Sequence, residues 1–131
     1  MKNSQEIKAI AIETLEIERD SIHNLISTID EEFSNVVEAI YHSNGRLVVS
    51  GIGKSAIIAQ KIVATLNSTG TPSLFMHAAD AIHGDLGMVQ SDDLVILISK
   101  SGNTPEVKVL VPLIKALGNK LIALTGSFDS F

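Results

Sequence analysis

The spacing of apolar residues divides the chain into two parts. Between residues 22 and 40, apolar side chains recur three and four positions apart, which places them on one stripe of a helix. We therefore predict a helical segment over residues 1–43, ended by Gly45. Thr28 and Glu31 match the spacing of a capping box, and this pattern predicts a break in the segment near Thr28.

From residue 45 onward, short apolar runs alternate with amphipathic stretches, as in a parallel sheet with crossover helices. The apolar runs are uninterrupted, which indicates strands buried on both faces. The predicted strands are 47–50, 73–76, 94–99 and 121–125, and the predicted helices are 54–67 and 105–117. The pattern predicts an α/β domain with a parallel sheet.

Three of the four predicted strands end in a hydroxyl side chain and a glycine. In open parallel sheets ligands bind beyond the carboxyl ends of the strands, where hydroxyls and helix N-termini offer hydrogen bonds to an anion. A tight turn explains one such loop, but three at one edge favour a phosphate site. The predicted binding residues are Ser50, Gly51, Gly53, Ser55, Ser99, Ser101, Gly102, Asn103 and Thr104.

The first of these loops resembles two nucleotide-binding motifs without satisfying either. Residues 53–55 read Gly-Lys-Ser, but Val48 stands where a P-loop needs its first glycine. Residues 51–56 match the glycine spacing of a dinucleotide fingerprint, but Thr71 stands where its acidic residue is expected. We therefore expect no nucleotide and no other cofactor. Lys54 remains unusual, because a cation at a helix start is unfavourable unless an anionic ligand lies nearby.

The second loop leads into a helix with a well-marked start. Thr104 suits the N-cap, Pro105 suits the first helical position and Glu106 falls in the first turn. An acid there complements the helix dipole, which is a sufficient structural reason for Glu106. The same dipole favours the ionised carboxylate, which suits a general base, so both interpretations stay open.

Residues 77–85 contain two histidines and two aspartates. His77 and Asp80 have the spacing to share one face of a helical turn. Clusters of this kind in loops are more often hydrogen-bonded loop structure than metal ligands, and no closed coordination set is present. We predict that the protein requires no metal.

Charge and composition argue against two classes of binding partner, nucleic acids and membranes. Residues 1–45 carry nine acidic and three basic side chains, the net charge is −5, and no basic cluster is present, so we expect no nucleic-acid partner. No apolar run approaches the roughly 18–20 residues of a membrane span, and no signal-peptide pattern opens the chain. The chain has no cysteine, which suits a reducing compartment. We expect a cytoplasmic protein without a membrane partner.

The motifs, taken in order, resemble the arabinose-5-phosphate isomerase family and its N-terminal sugar isomerase (SIS) domain. The resemblance runs from about residue 45 to the end of the chain. Its most specific block is His83-Gly84-Asp85-Leu86-Gly87. The other matching motifs are Gly51-Ile52-Gly53-Lys54-Ser55, Ser68-Thr69-Gly70-Thr71-Pro72 and Ser99-x-Ser101-Gly102.

This resemblance implies a flavodoxin-like, three-layer α/β/α domain, followed in the family by a pair of CBS modules. It implies a homo-oligomer in which sites are completed between subunits, and a sugar phosphate as substrate. The family interconverts D-ribulose 5-phosphate and D-arabinose 5-phosphate, the first step toward the 3-deoxy-octulosonate sugar of lipopolysaccharide or capsule. By resemblance, Lys54 and Glu106 match catalytic positions and His83 a histidine near the site. Ser99, Ser101 and Thr104 match the phosphate loop.

The sequence departs from the family pattern in two ways. Asp80 stands where the family usually has glutamate, and the family's second catalytic glutamate and a further histidine lie beyond residue 131. We therefore expect residues 1–131 to form one truncated SIS domain, with 1–43 helical and 45–131 the parallel α/β part. The end of the SIS domain and the CBS pair would be absent. We do not expect the 131 residues alone to turn over substrate.

An aldose-ketose isomerisation moves a proton between C1 and C2 through an enediol or enediolate, which requires a base and donors near the oxygen. We assign Glu106 as the base and Lys54 as the stabiliser of the oxygen charge. The alternative is a non-catalytic sugar-phosphate sensor, which would keep the phosphate loop and dispense with the base. The presence of Lys54 and Glu106 favours the enzyme.

Overall fold

The computed structural model describes residues 2–127, 129 and 130. Their contacts divide the chain into two compact units, residues 1–38 and residues 39–131. Each unit is therefore described by itself.

The N-terminal unit is helical, as the apolar stripe predicts. It contains helix α1 (Ser4–Asn24), a 3-10 turn (Leu25–Thr28) and most of helix α2 (Glu31–Tyr41). The Asn3 side chain accepts hydrogen bonds from the first turn of α1, and the Glu6 carboxylate accepts one from the Asn3 N–H, which completes a capping box.

The predicted break near Thr28 is confirmed, but the predicted capping box there is wrong. The Thr28 hydroxyl donates to the carbonyl of Leu25 within the 3-10 turn. Helix α2 instead begins beside Asp30, whose carboxylate accepts a 3.2 Å hydrogen bond from the Phe33 N–H. The reason is local: the Thr28 hydroxyl is already satisfied by the preceding turn, and α2 starts three residues later.

The second unit is built on a parallel sheet of four strands. The strands are β1 (Leu47–Gly51), β2 (Ser73–His77), β3 (Leu94–Ser99) and β4 (Lys120–Thr125). They lie in the order β2-β1-β3-β4 and all pair in parallel. Each observed strand lies within one residue of its predicted bounds. This order is that of a doubly wound, flavodoxin-like sheet, and the predicted fold class is confirmed.

Helices cover both faces of this sheet, giving three layers. Helix α3 (Lys54–Ser68) packs on one face, over a core that includes Val49, Ala59 and Val63. Helices α4 (Ala78–Ile82) and α5 (Pro105–Leu117) lie on the other, over Val48, Leu97 and Leu110. Helix α5 ends at Gly118, which adopts a left-handed φ of 84°.

The connection from β2 to β3 has more structure than the sequence predicts. It contains α4 and a 3-10 turn (Asp85–Met88). Such short helical turns hold few side chains, so they leave no clear period in the sequence.

At the amino edge of the sheet, an ion pair with a buried carboxylate ties the start of β3 to the residue before β1. The Asp93 carboxylate accepts hydrogen bonds from the Arg46 side chain, at 2.7 and 3.1 Å, and from the backbone N–H groups of Arg46 and Gln90. Burial alone would raise the pKa of Asp93. The hydrogen bonds from Arg46 and Gln90 outweigh burial, and the pKa of Asp93 lies below its ordinary value.

Candidate functional site

The candidate site lies at the carboxyl edge of the sheet, where β1 and β3 end side by side. Ser50 pairs with Leu97 in the register of these strands, so Ser99 lies just beyond the end of β1. Helices α3 and α5 begin directly after these strand ends. The predicted meeting of the first and second glycine loops is therefore confirmed.

The second loop, residues 99–104, folds around its own hydroxyl groups. Ser99 Oγ and Thr104 Oγ1 share a hydrogen bond of 2.8 Å, and the Gly102 N–H donates to the Ser99 carbonyl at 3.1 Å. The Asn103 N–H donates to Ser101 Oγ at 3.2 Å. Gly102 has a φ of 65°, which favours glycine. The loop brings three hydroxyl groups into one short turn.

Neither α3 nor α5 has a side-chain cap at its start. Thr104 takes the predicted N-cap position of α5, but its hydroxyl bonds to Ser99 and not to the helix. Gly53, at the N-cap of α3, has no side chain to offer. The first backbone N–H groups of both helices thus have no side-chain cap, which is the arrangement that binds anions at helix N-termini.

The first loop passes very close to the start of α3. A Cβ on Gly51 would lie 3.0 Å from the carbonyl carbon of Ser55, so only glycine fits without a shift. Ser55 is half-buried, while Gly53 and Lys54 are exposed. Ser50, also predicted as a binding residue, is fully buried, and its hydroxyl has no partner among the described residues.

The three predicted catalytic residues follow three neighbouring strands. Lys54 begins α3 after β1, Glu106 lies in the first turn of α5 after β3, and His83 ends α4 after β2. Lys54 and His83 are exposed and Glu106 is half-exposed. Within the described part of the chain, none of the three side chains forms a hydrogen bond or ion pair, so all are available to a ligand.

The loop after β4 contacts the second loop, residues 99–104, and sequence reasoning missed this contact. The Gly126 N–H donates to the Lys100 carbonyl at 3.1 Å. A Cβ on Gly102 would collide with the Ser130 side chain and lie 2.9 Å from Thr125 Oγ1. The sequence Thr125-Gly126-Ser127 predicts a third loop with a hydroxyl side chain and a glycine. Its contacts with Lys100 and Gly102 are seen only in the folded structure.

Among the described residues, no three His, Asp or Glu side chains come together in a way that could hold a metal ion. The absence of a metal requirement stays a prediction. No helix in the described ranges is long and apolar enough to cross a membrane.

Comparison with known protein families gives a match to the SIS domain over residues 39–131. A curated relative from Pseudomonas aeruginosa, arabinose 5-phosphate isomerase KdsD, is 46% identical over 99% of this chain. A Haemophilus influenzae relative, named probable arabinose 5-phosphate isomerase, is 46% identical over 92% of it. The chain spans 40% and 36% of the lengths of these two relatives.

Solved structures repeat the same fold. The Escherichia coli CFT073 protein c3406, in complex with arabinose 5-phosphate, matches with a TM-score of 0.93 and 42% identity over 98% of this chain and 69% of its own. A putative sugar-phosphate isomerase from Listeria monocytogenes matches with a TM-score of 0.93 and 37% identity, over 99% and 69%.

Proposed function

The chain belongs to the SIS domain family, and from this premise we propose that it carries the sugar-phosphate site of an aldose-ketose isomerase. The reaction proposed is the interconversion of D-arabinose 5-phosphate and D-ribulose 5-phosphate. The observation that carries the proposal is the meeting of two hydroxyl-rich loops and two helix starts without side-chain caps at the ends of β1 and β3.

The phosphate would bind to the second loop. Ser99, Ser101 and Thr104 supply hydroxyl donors, and the first turn of α5 supplies backbone N–H groups and the positive end of the helix dipole. This contact fixes the sugar in place and takes no part in the bond changes. The relatives named as arabinose 5-phosphate isomerases support a pentose phosphate as the ligand.

The chemistry proposed is a proton transfer between C1 and C2 through an enediol or enediolate. The Glu106 carboxylate would accept the proton from one carbon and return it to the other. The Lys54 ammonium would stabilise negative charge on the neighbouring oxygen. His83 would assist from the end of α4, the helix that follows the neighbouring strand β2. The positions of Lys54 and Glu106 support these roles. Both residues lie in the first turn of a helix at the same edge of the sheet, and neither side chain has a partner in the described part of the chain.

Two measurements on this chain test the proposal. An isomerase assay with ribulose 5-phosphate tests turnover, and a thermal-shift titration with arabinose 5-phosphate tests binding. Binding with turnover supports the enzyme, whereas binding without turnover would point to a sensor or to a site completed by residues outside this chain. Failure to bind any sugar phosphate would overturn the proposal.

Lys54→Met tests the catalytic assignment in a protein that turns over. Removing the charge should lower kcat by about a hundredfold, the usual scale for one group that stabilises an oxyanion. Lys61→Met is the matched control, because Lys61 is an exposed lysine further along the same helix. Unchanged turnover and unchanged affinity in Lys54→Met would remove Lys54 from the site.

The proposal extends to assembly and location. A homo-oligomer would account for the eleven large apolar side chains of residues 2–38 that remain 40–69% exposed. The net charge of −5 argues against nucleic acid as a partner. A sugar-phosphate substrate, which is a metabolite of the cell interior, implies a cytoplasmic site of action.

A further inference from the structure

The loop after β4 lies at the same edge of the sheet as the proposed site, but the proposed reaction gives it no role. Its described residues are 125–127, 129 and 130, and they form the third loop of this edge. Strand β3 lies between β1 and β4, so the second loop has the first loop on one side and the third loop on the other. The proposed site lies toward β1. The third loop is therefore placed to act on a ligand through the second loop.

Two contacts of the third loop hold the second loop on either side of Ser101. The Gly126 N–H donates to the Lys100 carbonyl at 3.1 Å. Gly102 is buried, and the Ser130 side chain occupies the space where a Cβ on Gly102 would lie. Ser101, between these two contacts, is exposed. The third loop thus fixes the backbone around a proposed phosphate-binding hydroxyl and leaves that residue open to a ligand.

The hydroxyl groups of the third loop have partners within the loop itself. Ser130 Oγ donates to the Ser127 carbonyl at 2.8 Å, and Thr125 Oγ1 accepts a 3.3 Å hydrogen bond from the Ser127 N–H. These bonds maintain the shape of the loop. The pattern of hydroxyl and glycine that suggests phosphate binding in the first two loops therefore serves a contact between loops in the third.

A loop that binds phosphate through its hydroxyl and N–H groups gains from being held in its bound shape. Ordering a loop during binding costs conformational entropy, and a loop that is already ordered avoids this cost. Glycine has the most conformational freedom to lose. Gly102 has a φ of 65°, and the contact with Ser130 restricts it on the side away from the proposed site.

We propose that Gly126 and Ser130 are positioning residues, which hold the second loop in the shape that binds phosphate and do not contact the ligand themselves. Gly126 acts through the Lys100 carbonyl, and Ser130 acts through Gly102. The proposal rests on the proposed function, because it assumes that the phosphate binds to the second loop.

Gly126→Ala tests the first contact. Gly126 does not have a left-handed φ, so alanine suits its backbone, but the new Cβ would lie 3.0 Å from the Lys100 carbonyl oxygen and displace it. The affinities for inorganic phosphate and for arabinose 5-phosphate should both fall about fivefold, because the change acts on the group that the two ligands share. Titrations followed by nuclear magnetic resonance measure both affinities.

Gly118→Ala is the matched control for this substitution. Gly118 has a φ of 84°, so alanine is strained there, but it lies at the end of α5 that is far from the second loop. The variant should therefore lose thermal stability and keep both affinities.

Ser130→Ala tests the second contact, because it removes the hydroxyl that lies against Gly102. Both affinities should fall about threefold. Exchange of the Gly102 amide hydrogen, which is bonded to the Ser99 carbonyl, should become faster without any ligand present. Ser127→Ala is the matched control, since the bonds of Ser127 within the loop are made by its backbone, and it should change neither affinity nor exchange.

Each result separates the two proposals. If the wild type binds both ligands and Gly126→Ala and Ser130→Ala bind them equally well, or if amide exchange at Gly102 is unchanged in Ser130→Ala, the positioning role is overturned and the proposed function stands. If Ser127→Ala loses as much affinity as Ser130→Ala, the third loop contacts the ligand directly. If Gly118→Ala loses as much as Gly126→Ala, the effect is one of stability alone. Both of these results also overturn the positioning role. If the wild type binds neither ligand, both proposals fail.

Discussion

At the scale of single residues, polar side chains at the two edges of the sheet differ in how they are paired. At the amino edge, the Asp93 carboxylate accepts bonds from the Arg46 side chain and from two backbone N–H groups. At the carboxyl edge, the Ser50 hydroxyl and His77 Nδ1 are buried without hydrogen-bond partners among the described residues. Buried polar groups without partners are costly, so they are candidates for contact with a ligand or an ordered water.

Asp93→Asn should lower the free energy of unfolding at pH 7 by about 2 kcal/mol, because the variant loses the ion pair with Arg46. The pKa of Asp93 is lowered in the folded state, so its contribution is present above the unfolded pKa of about 3.9. The contribution is lost as the pH falls through the folded pKa. Urea unfolding of wild type and variant at several pH values should therefore give curves that converge in acid.

Asp92→Asn is the control for this experiment. Asp92 is the preceding residue and is exposed, so its substitution should change stability by no more than about 0.5 kcal/mol. A constant gap between wild type and Asp93→Asn down to pH 3 would contradict the assignment of the lowered pKa to Asp93.

At the scale of elements, the helices differ in how they begin. Helix α1 is capped by Asn3 and α2 by Asp30, whereas α3 and α5 begin without a side-chain cap. The short helix α4 also begins at the carboxyl edge without a side-chain cap, so all three uncapped starts lie at this edge. Those of α3 and α5 follow the neighbouring strands β1 and β3. The phosphate is therefore proposed to bind where the backbone N–H groups of a first helical turn have no side-chain cap.

Thr104→Val tests whether the Thr104 hydroxyl serves the helix or the ligand. Valine keeps the shape of the side chain but removes the hydroxyl. Because this hydroxyl bonds to Ser99 and does not cap α5, stability should fall by the roughly 1 kcal/mol of that one hydrogen bond, while the helix signal in circular dichroism stays unchanged. The affinity for a sugar phosphate should fall about fivefold. Thermal unfolding and ligand titration measure the two effects.

Asp30→Ala supplies the comparison, because Asp30 does cap its helix. The helix signal in circular dichroism should weaken, and the free energy of unfolding should fall by about 1 kcal/mol. The affinity for a sugar phosphate should not change. A weakened helix signal in Thr104→Val, with unchanged affinity, would assign Thr104 to the helix alone.

At the scale of the whole molecule, apolar surface is distributed unevenly. The parallel sheet buries its strands β1 and β3 almost completely. In residues 2–38, by contrast, no side chain is buried, and Leu15, Ile22 and Ile26 are each at least 65% exposed. Large numbers of exposed apolar side chains are typical of surfaces that bind another protein, and the proposed homo-oligomer would cover this surface with a second copy of the chain.

Leu15→Asp tests this assignment, because it places a charge in the middle of the apolar surface of α1. The dissociation constant of the oligomer should rise by about tenfold or more, as read from light scattering over a concentration series. Glu16→Gln, at the next position, should leave the mass unchanged. A wild-type chain that stays monomeric at high concentration would overturn the assignment.

The bounds of most helices and strands are determined by residues that are close together in the sequence. The bounds of β3 and α5 match the prediction at both ends, since apolar runs, Pro105 and Gly118 mark them by chemistry that acts over a few residues. The meeting of the loops after β1 and β3 also follows from the sequence, because parallel strands place their carboxyl ends at one edge.

The sequence by itself determined the parallel α/β design, the glycine loops and the positions of Lys54 and Glu106 at two helix starts. Only the tertiary structure decided which polar groups pair with one another. The Thr104 hydroxyl turns to Ser99 instead of its helix, and His77 lies against Asp80 beside the first loop. Spacing along the chain fixes helices, strands and turns. Hydrogen-bond partners depend on distances between side chains, and these distances are set only when the strands have paired and the helices have packed.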